Sequence, residues 1–130
     1  MTRHSAIATP RRFGWGEAYG AEDFRRELAR EDVGPEAGLS VYVHVPFCRS
    51  LCHFCACNKV ITRKQELPVA YLDTIERELD AVAQCVKVPR LATQVHWGGG
   101  TPTHLTPVQI TRLHSAVTAR FPTAPGAEIG

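Results

Sequence analysis

Four cysteines lie within ten residues of this chain, at Cys48, Cys52, Cys55 and Cys57. The first three follow the spacing C-x3-C-x2-C. Cysteine thiolates are the usual protein ligands of iron–sulfur clusters. Three of them can hold three irons of a cubic [4Fe–4S] cluster, which leaves the fourth iron open to a small molecule. An open iron predicts chemistry at the cluster rather than electron transfer alone.

Clustered thiols are also typical of structural zinc sites and of ferredoxin-type clusters. Zinc sites commonly use two short cysteine pairs separated by a spacer, whereas these four thiols are contiguous and would strain a closed tetrahedron. The bacterial ferredoxin run has two residues between successive cysteines and a later cysteine followed by proline, and this spacing differs from it. We therefore favour the open cluster over a zinc site or a pure electron carrier.

Composition narrows the class of protein. The 130 residues are 44% hydrophobic and 22% charged, which is typical of one small globular domain. The net charge of +2 is too small to indicate nucleic acid or anionic membrane as a partner. No apolar run approaches the roughly 18 residues of a membrane span, and the first residues lack the apolar segment of a secretion signal. Clustered cysteines in such a chain are typical of a cytoplasmic metal site.

Hydrophobic periodicity predicts alternating strands and helices after an N-terminal segment, residues 1–38, that is irregular apart from one short helix. The expected elements are a helix over Ala21–Arg30, a strand over Leu39–Val45, the cysteine loop, a helix over Pro68–Val86, a strand over Ala92–Trp97, a helix from the capping box at Thr106 to Phe121, and a third strand starting near Ala127. This order predicts an α/β fold of parallel strands with helices on the outside. Two complete units cannot close a barrel, so we expect the front part of a larger enzyme.

The faces of these elements follow from the same periodicity. In the first strand the valines share one face, which we expect to lie under the helices, whereas Tyr42 and His44 face the other way. Gln94 and His96 are the matching pair on the second strand. The predicted helix stripes are Leu72, Ile75, Leu79, Val82 and Val86 in one helix, and Ile110, Leu113 and Val117 in the next. We expect Cys85 to be a small buried hydrophobe.

The spacing C-x3-C-x2-C, with Phe54 just before the third cysteine, resembles the radical S-adenosylmethionine superfamily. The resemblance implies that Cys48, Cys52 and Cys55 bind a [4Fe–4S] cluster whose open iron chelates S-adenosylmethionine. The reduced cluster would then cleave a carbon–sulfur bond of this cofactor and release a 5′-deoxyadenosyl radical. The resemblance further implies cofactor contacts from five residues: Tyr42, Phe54, Gly99, Gly100 and Thr101.

Within that superfamily, residues 41–59 and 95–105 resemble the oxygen-independent coproporphyrinogen III oxidases, and the likeness extends over roughly residues 39–129. The Cys55-Ala56-Cys57 step separates this family from related heme chaperones, which usually lack the fourth cysteine. The implied fold is the first βα units of a partial (β/α) barrel, with residues 39–130 as the start of the radical core domain. The implied reaction, in heme synthesis, is oxidative decarboxylation of two propionates of coproporphyrinogen III. Each propionate loses a hydrogen atom to the radical, then carbon dioxide and one electron, and becomes a vinyl group, giving protoporphyrinogen IX.

Further roles stay open at the sequence level. The family implies a porphyrinogen substrate, a low-potential electron donor and a monomer. His44 and Cys57 are candidate catalytic residues, and Cys57 is not expected to be a cluster ligand. His44 could lie near the substrate or be a hydrogen-bonded histidine inside the barrel. The basic loop residues Lys59, Arg63 and Lys64 could meet substrate carboxylates or be solvated. Residues 10–20 depart from the family pattern, and a heme chaperone or a non-catalytic cluster-binding stub remain alternatives.

Overall fold

The computed structural model describes residues 19–32, 34 and 36–130. Its elements, in chain order, are α1 (Ala21–Leu28), β1 (Leu39–Val45), β2 (Phe47–Cys48), β3 (Val60–Ile61), α2 (Leu67–Cys85), β4 (Ala92–Gly99), a 3-10 helix (Pro102–His104), α3 (Pro107–Arg120) and β5 (Thr123–Ile129). Residues 1–18 of the predicted irregular N-terminal segment lie outside the described residues, and they include most of the stretch, residues 10–20, that departs from the family pattern. None of the described helices combines the length and apolar character that a bilayer crossing requires.

Strands β1, β4 and β5 form one parallel sheet with β4 in the centre. The register places Tyr42 beside His96 and Val45 beside Gly99. Parallel neighbours need a crossover connection, and α2 and α3 supply the two crossovers. The predicted α/β arrangement is therefore confirmed. The cysteine loop leaves β1 and the glycine turn leaves β4 at the same edge of the sheet.

The core lies between the valine face of the sheet and the helices α2 and α3, as predicted. Val43, Val45 and Val95 are at most 5% exposed on the sheet side. On the helix side the fully buried side chains are Leu72 and Pro68 of α2 and Leu113 and Val117 of α3. Burying such side chains contributes about 1.5–3 kcal/mol each, so this one layer of contacts supplies most of the apolar stabilisation.

Three expectations about packing need correction. Ile110 is 41% exposed, because the whole first turn of α3 lies outside the packed region, and Ala116 takes its place in the buried stripe. Cys85 is only partly buried, because it sits in the last turn of α2, where its thiol donates to the carbonyl of Ala81. The third strand begins at Thr123 rather than Ala127, since pairing with β4 overrides the turn-like proline and glycine within it.

Element ends differ by a few residues. Helix α1 ends at Leu28 rather than Arg30, α2 runs one residue earlier at each end, and β4 continues through Gly99 rather than stopping at Trp97. The extension of β4 has a functional consequence, because it keeps the first two glycines of the run inside the sheet, paired with His44 and Val45.

Candidate functional site

The cysteine loop is closed at its base by a short strand pair that the sequence did not predict. Strand β2 pairs in parallel with β3. The amide of Val60 donates to the carbonyl of Pro46 at 2.8 Å, and that of Thr62 donates to the carbonyl of Cys48 at 2.9 Å. Residues 49–59 therefore form a closed loop anchored directly at the end of β1.

The four thiols differ in burial along this loop. Cys48 is buried at its base, Cys55 is half-buried, and Cys52 and Cys57 are exposed. All are free thiols, and the amide of Cys55 donates to the carbonyl of Cys52 in a turn. Among the described residues no three metal-ligating side chains are gathered into a binding geometry. The structure thus places the predicted ligands Cys48, Cys52 and Cys55 on one anchored loop without bringing their sulfurs together.

The glycine turn after β4 packs directly against the residue at the base of that loop. The amide of Gly100 donates to the carbonyl of Val45, and that of Thr101 donates to the carbonyl of Phe47, both at 2.8 Å. The Thr101 hydroxyl lies 3.6 Å from Sγ of Cys48, which accepts its hydrogen bond. A methyl group at Gly100 would lie 2.8 Å from the same sulfur. Only glycine at this position lets the turn approach Cys48 so closely.

The two preceding glycines make room for side chains of β1. A methyl group at Gly98 would lie 2.6 Å from the hydroxyl oxygen of Tyr42, and one at Gly99 would lie 2.7 Å from the ring of His44. Gly99 also has a φ of 107°, a conformation that side-chain-bearing residues rarely adopt. The glycine run lets Tyr42 and His44 lie across the end of β4.

The open face of the sheet carries a connected aromatic group, as the strand alternation predicted. Tyr42 stacks on His96 with ring centroids 6.1 Å apart, and its hydroxyl lies 3.3 Å from Nδ1 of His44. Nε2 of His44 lies 2.8 Å from the backbone carbonyl of Asn58. A carbonyl only accepts, so Nε2 carries a proton, and in the neutral ring Nδ1 accepts from Tyr42. His44 thereby ties the far end of the cysteine loop to β1.

On the other side of β1, Tyr71 reaches the same position from α2. Its hydroxyl donates to the backbone carbonyl of His44 at 2.5 Å. Burial, with a smaller contribution from the negative charge of Glu78, raises the pKa of Tyr71 above its usual value of 10.0. Tyr71 stays protonated at neutral pH and remains a donor that fixes the end of β1.

A second polar row on the open face was not singled out from the sequence. Ser40 donates to Oε1 of Gln94 at 2.9 Å, and Nε2 of Gln94 donates to Glu128 at 3.2 Å. Each residue comes from a different strand, and the row is visible only once the register of β5 is known. The signal available in the sequence was the alternation that placed Gln94 on the Tyr42 face.

The remaining residues that the sequence indicated, Phe54 and the basic loop residues, do not gather in one place. Phe54 is 99% exposed and contacts none of the residues grouped with it by the family resemblance. Arg63 lines a polar cavity of about 300 Å³ with Arg49 and Gln65, whereas Lys59 and Lys64 lie outside that cavity. The sequence did not indicate Arg49 as a basic candidate, because it lies between Cys48 and Cys52, where the spacing predicts metal ligands.

Comparison with known proteins adds to this geometry. No family model matches the chain. The oxygen-independent coproporphyrinogen III oxidase of Mannheimia haemolytica is 48% identical over 120 residues, which make up 92% of this chain and 80% of that protein. The chain belongs to the oxygen-independent coproporphyrinogen III oxidase family. The resemblance predicted from the cysteine and glycine motifs is therefore confirmed.

Longer members of the oxygen-independent coproporphyrinogen III oxidase family align with the same region. The Escherichia coli member is 42% identical over 120 residues, which make up 92% of this chain and 25% of that protein. A solved structure of coproporphyrinogen III oxidase from Escherichia coli, described as a radical SAM enzyme, superposes with a TM-score of 0.76 at 44% identity. That match covers 87% of this chain and 25% of the other, so the chain spans about a quarter of these two relatives.

Proposed function

We propose that this chain forms the cluster-binding part of a radical S-adenosylmethionine enzyme that decarboxylates coproporphyrinogen III to protoporphyrinogen IX. The observation that carries the proposal is the packing of the glycine turn on Cys48, directly below Tyr42 and His44. In parallel α/β folds ligands bind at the carboxyl ends of the strands. The glycine turn and Cys48 lie at the carboxyl ends of β4 and β1.

In this proposal Cys48, Cys52 and Cys55 would hold a [4Fe–4S] cluster, and Gly99, Gly100 and Thr101 would contact S-adenosylmethionine. The chemistry of the donor set fits that group, since the three thiols are free and share one anchored loop, and their sulfurs would be drawn together on binding. When bound, the two groups supply the one-electron chemistry that removes a hydrogen atom from a propionate side chain. Cys57 lies outside the ligand set.

The chain's own residues would position the cofactor and shield it from solvent. Tyr42 offers an aromatic face and a hydroxyl at the open side of the sheet, and it is 57% exposed there. His44 holds the loop through Asn58 while Gly99 and Gly100 admit close approach of a ligand to the backbone. Thr101 would contact the methionine end of the cofactor, and Phe54, on the cysteine loop, would contact the cofactor as well.

Partners follow from the same chemistry. The substrate is a porphyrinogen with propionate carboxylates, and Arg63, with Arg49 beside it, offers them guanidinium donors. A low-potential electron donor reduces the cluster. We propose a cytoplasmic enzyme, because clustered free thiols are typical of reducing compartments. The family resemblance further implies a monomer. Residues 1–38 form its N-terminal segment, and residues 39–130 begin the radical core domain.

Anaerobic reconstitution with iron and sulfide tests the proposal. We expect roughly four irons per chain and, after reduction, a cubane electron paramagnetic resonance signal that changes when S-adenosylmethionine is added. Cys48→Ala, Cys52→Ala and Cys55→Ala should each lose the cluster. Cys57→Ala and Cys85→Ala, the latter in helix α2, should retain it.

Each alternative has its own outcome in this experiment. A cluster whose signal ignores S-adenosylmethionine would indicate a non-catalytic cluster-binding chain. Transfer of bound heme to an acceptor protein, with no porphyrinogen turnover by the loaded chain, would indicate a heme chaperone. Zinc bound in place of iron by the same three cysteines would contradict the proposed function and both alternatives, the non-catalytic cluster-binding chain and the heme chaperone.

A further inference from the structure

The contact between Thr101 and Cys48 suggests a role for the hydroxyl beyond cofactor contact. We propose that Thr101 donates a hydrogen bond to the Cys48 thiolate and thereby raises the reduction potential of the cluster. This inference rests on the proposed function, because it concerns the same cluster. It makes Thr101 a positioning residue that acts through a ligand.

The geometry singles out the hydroxyl as the donor to this sulfur. Oγ1 of Thr101 lies 3.6 Å from Sγ of Cys48, within the longer range that sulfur acceptors require. Two backbone donors of the same turn, the amides of Gly100 and Thr101, are already bonded to the carbonyls of Val45 and Phe47. Neither amide is therefore free to reach the sulfur, and within this turn the hydroxyl is the donor that remains.

The turn around Thr101 is fixed, so the hydroxyl is held in place before any ligand arrives. The amide of His104 donates to the carbonyl of Thr101 at 2.8 Å, and that of Leu105 donates to Pro102, closing the 3-10 helix. The ring of His104 stacks on Phe47, with centroids 5.7 Å apart, and both residues are buried. The threonine and the cysteine thus stand on two segments locked together by packing and backbone bonds.

The sign of the effect follows from charge. Reduction adds an electron to the cluster and increases the negative charge on its sulfur ligands. A donated hydrogen bond stabilises the more negative state more strongly, since bonds to charged acceptors are stronger than bonds to neutral ones. Cys48 is buried, and low local polarity strengthens the bond. A hydroxyl has one proton and two lone pairs, so the oxygen can still accept from a cofactor ammonium group.

The test is the midpoint potential of the reconstituted cluster, measured by anaerobic redox titration without S-adenosylmethionine. Thr101→Val removes the donor at constant volume, and Thr101→Ser keeps it. We expect the valine variant to be harder to reduce by up to about tenfold in the equilibrium constant, which is about 59 mV for a one-electron couple. The serine variant should stay within about a third of that shift.

Thr103→Val is the matched control, because Thr103 is an exposed threonine in the same turn and should leave the potential unchanged. If Thr101→Val loads poorly, Thr101→Ala provides the same loss of donor without added bulk. Equal potentials in the wild type and in the variants lacking the hydroxyl would overturn the role of Thr101 and leave the proposed function standing. A wild-type chain that assembles no cubane cluster would overturn both.

Discussion

At the scale of single residues, the site depends on how closely a backbone can approach a side chain. Gly98, Gly99 and Gly100 each meet a different side chain of the neighbouring segment, namely Tyr42, His44 and Cys48. The glycine run therefore has two functions in one turn. It shapes the surface on which the proposed cofactor lies, and it allows the cysteine loop to leave β1 without a clash.

Gly100→Ala should disrupt this contact. The added methyl group would lie 2.8 Å from Sγ of Cys48, 2.8 Å from the carbonyl oxygen of Phe47 and 2.9 Å from the backbone of Pro46. Two of these neighbours are backbone atoms that cannot rotate away, so we expect destabilisation of about 1–3 kcal/mol in urea unfolding and reduced iron content after reconstitution.

Gly20→Ala is the matched control, because nothing lies within 4 Å of the added methyl group there. Because Gly20 is the N-cap residue of α1, where alanine is less favourable than glycine, this variant should lose at most about 1 kcal/mol and keep the wild-type iron content. Wild-type iron content and stability in Gly100→Ala would mean that the turn can withdraw from Cys48, and the close packing would then not be needed for the site.

At the scale of elements, two arginines of α3 join that helix to α2. Arg112 donates to Glu76 at 2.7 and 2.9 Å and to Asp73 at 2.6 Å. Arg120 donates to Asp80 at 2.6 Å. These pairs lie along the outer side of the helix layer, so they fix how the two crossovers sit together above the core.

The pairing with Arg112 makes stability depend on pH in the acid range. The hydrogen bond from Arg112 lowers the pKa of Glu76 below its usual 4.5. The folded state therefore binds this proton more weakly than the unfolded state, and stability is lost as pH falls from 4.5 through the lower folded pKa. Glu76→Gln should flatten this part of the stability profile, with a loss at pH 7 of at most about 1 kcal/mol because solvent screens the pair.

Urea unfolding of Glu76→Gln between pH 7 and pH 2.5, compared with wild type, measures the effect. Glu31→Gln serves as control, since Glu31 is exposed, lies outside the helices and has no ion pair among the described residues, so its profile should follow wild type. Parallel acid profiles for Glu76→Gln and wild type would show that the pair does not contribute to folding.

At the scale of the whole molecule, one apolar layer carries the fold and leaves the other sheet face available for chemistry. The valines of β1 and β4 meet α2 and α3 on one side. The opposite face carries Tyr42, His44 and His96 and the polar row that ends at Glu128. A parallel sheet is usually covered on both faces, and here the second face holds the residues that we assign to the cofactor.

Leu72→Ala tests how far the site depends on that layer. Leu72 is 1% exposed, so the change removes buried contacts and leaves a cavity, and we expect a loss of about 2–5 kcal/mol in the free energy of unfolding. Thermal and urea unfolding measure it. Val108→Ala, at a side chain that is 79% exposed, should cost almost nothing. A loss of less than about 1 kcal/mol in Leu72→Ala would mean that the core lies elsewhere.

The sequence alone determined the cysteine spacing, the alternation of strands and helices and the family resemblance, because all three depend on the order of residues over short distances. It could not show that β2 and β3 close the cysteine loop, or that the third strand begins at Thr123, because strand pairing depends on the register of distant segments. The bond from Thr101 to Cys48 joins residues 53 positions apart. Only the tertiary structure, by packing one turn against another, decides which side chain reaches that sulfur.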